Sequence, residues 1–304
     1  MQPLLRADSL FKKFGSTIAV DNISFEIHRG EIFGFLGPNG AGKTTTIKIM
    51  SGLLKPDGGR VMIDCEDHSR SIGICPQHIV IWENLTCIEQ IIYMGKMYNM
   101  SAIEAQRRGN DLLESLGLSG IKDRLAKKLS GGMQRRLNIA LALIHSPEIV
   151  FLDEPQAGLD PQSRVLVRDY IRSIKNKTTV ILTTHDMEEA EKLSDRICII
   201  DKGKLLVTGT AGEIKRLSGF EDLIEIEIDD NIQQSFIPFL DPGLVRKMTI
   251  TENRVSFSVK DPISAVDNIL SVVKKYDLKV SSLKLRKNSL EDVFINLTGR
   301  SIRE

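Results

Sequence analysis

Apolar residues in the first two-thirds of this chain come in short unbroken runs, whereas after Gly219 they alternate with charged residues. The runs at 31–36 (Glu-Ile-Phe-Gly-Phe-Leu), 149–152 and 179–183 read as strands buried on both faces. Residues 44–54 and 134–145 carry helical spacing, the latter with Leu137, Leu141 and Ile144 on one face. Between residues 3 and 85, strand-like runs at 4–8, 23–27 and 60–64 are separated by the turns His28-Arg29-Gly30 and Pro56-Asp57-Gly58-Gly59. Residues 86–130 turn helical, with mixed charge over 101–116. From 131 to 208 helices and short apolar strands alternate, the pattern of a parallel sheet covered by helices. Beyond 219, strict alternation at 223–228 and again at 254–259, an amphipathic helix at 263–275, a strand at 278–285 and a last helix at 290–297 predict a small α+β domain. The expected organisation is therefore an α/β domain over 1–218, with a helical subdomain at about 86–130, followed by an α+β domain over 219–304.

The first chemistry-bearing motif lies between a predicted strand and a predicted helix. Gly37-Pro38-Asn39-Gly40-Ala41-Gly42-Lys43-Thr44-Thr45 is a complete G-x-x-x-x-G-K-[ST] loop. Its glycines let the main chain approach a polyphosphate, its N–H groups and the helix N-terminus supply positive potential, and Lys43 adds a point charge near the β- and γ-phosphates. Thr44 offers its hydroxyl to Mg²⁺. A second cluster sits at the end of the 149–152 strand, where Asp153 suits the Mg²⁺ shell of a P-loop NTPase and Glu154 suits a base that polarises water. Pro155 ends that strand abruptly. A third motif, Leu129-Ser130-Gly131-Gly132-Met133-Gln134, opens a helix with Ser130 as its cap and two glycines exposing N–H groups, a second anion site.

With these three motifs in this order, the chain resembles the nucleotide-binding subunits of ATP-binding-cassette (ABC) transporters, in which a Leu-Ser-Gly-Gly-Gln signature precedes an Asp-Glu strand; Met133 stands where the family has glutamine. The resemblance covers about residues 3–218 and implies the roles that follow. Gln77 matches the glutamine that reaches Mg²⁺ and the attacking water, Ala157-Gly158-Leu159-Asp160 the loop at the dimer interface, His185 the histidine on the γ-phosphate, and Phe14 the aromatic that stacks on adenine. ATP and Mg²⁺ are then the expected substrate and metal, the latter held by Thr44, Gln77 and Asp153. The expected partners are transmembrane subunits and a second ATPase subunit, paired head to tail so that Ser130, Gly131 and Gly132 of one chain cover ATP on the Lys43 loop of the other. The segment 288–299 (Asn-Ser-Leu-Glu-Asp-Val-Phe-Ile-Asn-Leu-Thr-Gly) resembles the C-terminal extension of exporter-type, drug-resistance and ABC-2-like cassette ATPases, which implies export and an accessory or regulatory C-terminal domain. The fold class expected is thus a P-loop NTPase of ABC type, α/β with a helical signature subdomain, plus a small α+β domain.

Composition narrows the picture further. Forty-one basic against forty acidic residues give a net charge of +1, which disfavours a nucleic-acid protein. No apolar stretch approaches the about 18 residues of a membrane span, and residues 1–15 lack a secretory signal, so the expected place is the cytoplasm, peripheral on the cytoplasmic face of the cell membrane. Four cysteines without a Cys-x-x-Cys pair suit reduced thiols. Cys65-x-x-His68 and Cys75-x-x-His78 have zinc-ligand spacing, but a zinc clamp would oppose movement of the Gln77 loop. The basic run over 122–136 reads as a solvated face, and Trp82, the only tryptophan, reads either as core or as a wall of a groove for a membrane subunit. The alternative function is a non-transport cassette ATPase acting on DNA or ribosomes, against which stand the single unbroken cassette, the absence of sustained heptads and the neutral charge. A GTPase is disfavoured because Asn176-Lys177-Thr178-Thr179 lacks the aspartate that reads guanine.

Overall fold

The computed structural model describes residues 3–65, 71–217, 222–228, 245–251, 254–259, 262–275, 279–286 and 288–299. Two compact units part between Ala211 and Gly212. The first contains β1 (Pro3–Phe14), β2 (Thr17–His28), β3 (Ile32–Leu36), β4 (Gly58–Ile63), β5 (Ile72–Cys75), β6 (Ile149–Asp153), β7 (Thr179–Thr184), β8 (Arg196–Asp201) and β9 (Lys204–Gly209). The order β5-β6-β7-β3-β8-β9 makes a sheet that is parallel from β5 to β8 and closed by antiparallel β9. An antiparallel sheet, β2-β1-β4, lies in the same unit.

The unbroken apolar runs are explained by burial on both faces of the parallel sheet. Phe33, Phe35, Phe151 and Ile181 join a core with Phe25 of β2 and Ile47 and Ile49 of the helix Lys43–Met50. Val150, Leu152, Val180 and Leu182, alternating with them, join another with Leu137, Leu141, Val167 and Ile171 of the helices Gly131–Leu143 and Pro161–Ile174. Phe33 and Phe35 each meet Phe25, at ring-centre distances of 6.0 and 5.2 Å, which locks the sheets together. β1 and β2 run twelve residues each, longer than the apolar runs alone predict, because polar residues such as Lys13 pair in the hairpin while facing solvent.

The helical segment comprises Cys87–Met97, capped by a Thr86/Glu89 capping box, and Ala102–Ser115, capped by Ser101. The helix Gly131–Leu143 starts earlier than its apolar spacing suggests, because Ser130 Oγ accepts from Met133 N at 3.3 Å. At its other end Arg108 donates to the carbonyls of Leu143 and Ile144 at 3.0 and 2.5 Å. The basic run over 122–136 is not wholly a solvated face: Arg135 and Arg136 are buried, at 3% and 7% exposure.

In the second unit, β10 (Asp222–Ile228), β11 (Val245–Thr251), β12 (Arg254–Val259) and β13 (Val280–Arg286) form an antiparallel sheet in the order β11-β12-β10-β13. Ile224, Ile226, Val255, Phe257 and Val259 pack on Ala265, Ile269, Val272 and Val273 of the helix Pro262–Lys275. One face is covered, hence the alternation in sequence. β11 escapes the sequence reading because Val-Arg-Lys-Met-Thr-Ile-Thr places two cations in its first half. Leu278, at the predicted start of the last strand, lies outside the described residues. The helix Leu290–Thr298 starts at a Ser289/Asp292 capping box and ends at Gly299, whose φ is 72°.

Candidate functional site

The fully buried β3 delivers the chain into the 37–45 loop. Close approach dictates glycine at two places: a Cβ on Gly37 would lie 2.1 Å from Ile200 O, and one on Gly42 would lie 2.3 Å from Ala19 O. Gly42 also carries φ 104° as the N-cap of Lys43–Met50, a conformation that side chains resist. The first turn of this helix holds no acidic residue, so its N–H groups and dipole are left to attract an anion. Lys43 is 5% exposed, and its Nζ donates to Gly37 O at 2.7 Å and Pro38 O at 3.0 Å. Burial lowers its pKa below the ordinary lysine value, against the opposing pull of Glu154 and Asp153.

Asp153 and Glu154 arrive at the end of β6, beside that loop. Asp153 Oδ1 accepts from Thr183 Oγ1 at 2.5 Å and from Thr44 Oγ1 at 3.2 Å. Thr183 also accepts from Glu154 N at 2.9 Å, so one hydroxyl of β7 sets both acidic residues. Glu154 has φ 51°, a left-handed turn that lifts it off the strand before Pro155. Its Oε1 lies 3.2 Å from His185 Nδ1, and its Oε2 accepts from Gln77 Nε2 at 3.4 Å. The site therefore brings together Lys43, Thr44, Gln77, Asp153, Glu154 and His185, which are spread over more than 140 residues of sequence. Hard oxygen donors on Thr44 and Asp153 suit a divalent cation, and a carboxylate held from both sides suits orientation of water.

Phe14, at the end of β1, is 52% exposed, and Lys12 Nζ lies 5.6 Å from its ring centre while donating to Lys55 O and Asp57 Oδ1, both at 2.9 Å. Ser130 and Gly131 are exposed, and a Cβ on Gly131 would meet open space. Among the described residues, no hydrogen bond joins Ser130, Gly131 or Gly132 to the 37–45 loop. Of the zinc-spaced residues, Cys75 is buried, accepts from Asn138 Nδ2 at 3.2 Å and has its thiol pKa pushed up to about 11 by burial; His68 lies outside the described residues. Trp82 is 39% exposed and meets Tyr93 edge to face at 5.3 Å, so it is a partly open surface aromatic.

Sequence reasoning overlooked Arg135. Its guanidinium sits between the Gln77 loop and the Asp153-Glu154-Pro155 turn and bonds only main-chain carbonyls. The only signal for it in sequence is its position just over one turn beyond Ser130.

A family pattern described as "ABC transporter" matches residues 20–157. Linearmycin resistance ATP-binding protein LnrL of Bacillus subtilis (strain 168) is 36% identical over 99% of this chain and 100% of its own length. The chain belongs to the ATP-binding subunits of ABC transporters. This ABC subunit is accordingly an ATPase whose hydrolysis powers transport. Daunorubicin resistance ATP-binding protein DrrA3 of Streptomyces coeruleorubidus is 35% identical, covering 99% of this chain and 98% of that protein. Nod factor export ATP-binding protein I of Ralstonia nicotianae is 34% identical, covering 99% and 96%. The second unit of the ABC subunit carries a match to a "DrrA1-3-like, C-terminal domain" over 209–298, in keeping with the exporter-type extension. A solved structure described as an ATP-binding subunit of an ABC transporter superposes with TM-score 0.66 at 29% identity, covering 71% of this chain and 93% of that one. The alternative of a cassette acting on DNA or ribosomes gains no support from these relatives.

Proposed function

We propose that this chain works as a head-to-tail pair of ATPase subunits docked on separate membrane subunits at the cytoplasmic face of the cell membrane, and that it drives export. The observation that carries this reading is the convergence on Glu154, with His185 Nδ1 at 3.2 Å and Gln77 Nε2 at 3.4 Å, next to a Thr44–Asp153 pair at 3.2 Å. Export follows from the resistance and export roles in the names of the relatives matched along their full length.

In this mechanism Phe14 stacks on adenine, and N–H groups of Gly40, Ala41, Gly42, Lys43, Thr44 and Thr45 cradle the phosphates, with Gly37, Pro38 and Asn39 shaping the turn. Lys43 exchanges its carbonyl partners for β- and γ-phosphate oxygens. Thr44, Asp153 and Gln77 are the side chains that would hold Mg²⁺, whose charge offsets that of the phosphates when it is bound. Glu154 takes a proton from the attacking water, His185 orients it and supports charge on the γ-phosphoryl oxygens, and Gln77 links the site to the membrane subunit. Ser130, Gly131 and Gly132 cover the ATP of the partner chain, so nucleotide joins the pair and hydrolysis releases it. The exposed Ile79, Val80 and Trp82, which follow Gln77 in the chain, together with Tyr93 packed against Trp82, support docking there. Among the described residues no helix is long and apolar enough to cross a membrane; in this reading separate membrane subunits supply the path of the exported molecule. The second unit, retained along the full length of these relatives, serves as a regulatory accessory. A net charge of +1 supports no role for nucleic acid.

Mixing two inactive variants tests the shared site. In Lys43→Ala the nucleotide loop fails, and in Ser130→Arg the signature is blocked. Each homodimer has two broken sites, but the mixture contains one complete site per heterodimer. Hydrolysis by the mixture above either variant alone is expected; no rescue, with heterodimers shown to form, leaves either sites within one chain or an obligatory coupling of both sites, and only the latter traps one ATP per heterodimer in a Glu154→Gln background.

A further inference from the structure

A guanidinium has five N–H donors fixed in one plane, and all five of Arg135 are used. Nη1 donates to Pro76 O at 2.8 Å and Gln77 O at 2.7 Å, Nη2 to Asp153 O and Glu154 O at 2.5 Å each, and Nε to Pro155 O at 3.4 Å. The side chain is 3% exposed and its hydrogen bonds reach no carboxylate, so this buried cation is held by main-chain dipoles alone. Three residues further along the same helical face, Asn138 Oδ1 accepts from Val80 N at 3.3 Å and Nδ2 donates to Cys75 Sγ at 3.2 Å. The loop bearing Gln77 is thus fastened to the signature helix at Cys75, Pro76, Gln77 and Val80, and the turn bearing Glu154 is fastened to the same guanidinium. Arg136 turns the other way and donates to Leu116 O at 2.7 Å and Gly117 O at 3.3 Å, away from both loops.

We propose that Arg135 is a positioning residue for hydrolysis: from the signature helix it sets the spacing of Gln77 and Glu154 in its own chain, a role that rests on Glu154 being the base proposed above. A conformational shift of the signature helix is thereby passed directly to the base and to the glutamine. Lysine cannot replace it, because three donors on a point charge cannot serve five carbonyls that a planar guanidinium reaches at once.

The test compares Arg135→Lys with Arg136→Lys in the full chain, measuring steady-state ATPase activity and thermal unfolding. Arg135→Lys is expected to lower kcat at least tenfold with KM for ATP within twofold, whereas Arg136→Lys keeps kcat within twofold at a similar unfolding temperature. Unchanged kcat in Arg135→Lys, or equal losses in both variants, would overturn the proposal. Should Arg135→Lys fail to fold, Asn138→Ala, which frees only the Gln77 loop, is expected to lower kcat about threefold at constant KM; an unaltered kcat overturns it.

The mixed dimer locates the effect. Its complete site takes Lys43, Gln77 and Glu154 from the Ser130→Arg chain and the signature from the Lys43→Ala chain. Adding Arg135→Lys to the former should cut turnover at least tenfold, and adding it to the latter should change turnover less than twofold; the opposite pattern refutes positioning within the chain. If the mixed dimer is inactive before Arg135 is touched, the kcat and KM values of the homodimer still decide the role of Arg135.

Discussion

The two units bury their strands differently, and the difference separates chemistry from scaffold. In the first, β3, β6 and β7 are covered on both faces, so side chains free to do chemistry lie only where the strands end: the 37–45 loop after β3, Asp153 and Glu154 at the end of β6, and His185 after β7. In the second, the sheet is covered on one face by the helix Pro262–Lys275, and its other face carries polar cross-links such as Ser282 Oγ to Glu227 Oε2 at 3.0 Å. Parallel strands aim their ends at one edge and so gather loops from distant parts of the chain, whereas antiparallel strands in the second unit spend their polar groups on one another.

The sharpest way to break this contrast is Glu154→Gln. Turnover should fall by roughly 10² to 10⁴ while ATP affinity persists, and near-normal hydrolysis would remove Glu154 as base. Lys43→Ala, by contrast, should weaken ATP binding itself, as read by nucleotide titration. On the scaffold side, Phe257 is 1% exposed in the second core, so Phe257→Ala should cost about 3–5 kcal/mol in the unfolding of that unit. ATP affinity of the first unit should stay within twofold, and a larger loss would show the second unit to be part of the site. Trp82→Ala lies between these cases. With 39% exposure and an edge-on partner in Tyr93, it should lose less than about 2 kcal/mol of stability, keep soluble ATPase activity and lose transport when assayed with the membrane subunits. Collapse of the fold instead would make it a core residue.

The smallest effect is a pH slope. Burial pushes the Cys75 thiol up from 9.0 to about 11, so above pH 9 the unfolded chain releases this proton while the folded chain keeps it. The resulting stability is present below pH 9 and is lost as pH rises toward 11, at up to about 1.4 kcal/mol per pH unit. Cys75→Ser, which keeps an acceptor for Asn138, should flatten this part of the slope in denaturant titrations between pH 8.5 and 10.5; an identical slope would place the loss elsewhere.

How much could be read from the chain follows from the range of the interactions. The 37–45 loop, the Ser130 cap and the Asp153-Glu154 pair were legible because strand, turn, cap and helix each lie within about a dozen consecutive residues and obey local rules of spacing and capping. The second sheet was legible in β10 and β12, where alternation is strict, and not in β11, whose early cations blur the period. Met133 in the signature cost the motif nothing at the level of geometry, since the Ser130 cap bonds its main-chain N–H and not its side chain.

By itself, then, the order of residues determined most of the elements, the glycine-rich 37–45 loop with its helix start, and the residue types gathered at the strand ends, because these depend on neighbours along the chain. Only the tertiary structure decided that Glu154 is bracketed by Gln77 and His185, that Thr183 sets both acidic residues, and that Arg135 in a run of surface-like cations is buried among five carbonyls. Those contacts join positions 77, 31, 29 to 30 and 18 to 59 residues apart. No local period encodes such separations; they exist because parallel strands bring their ends to one edge, where the desolvated carbonyls and carboxylates must find partners.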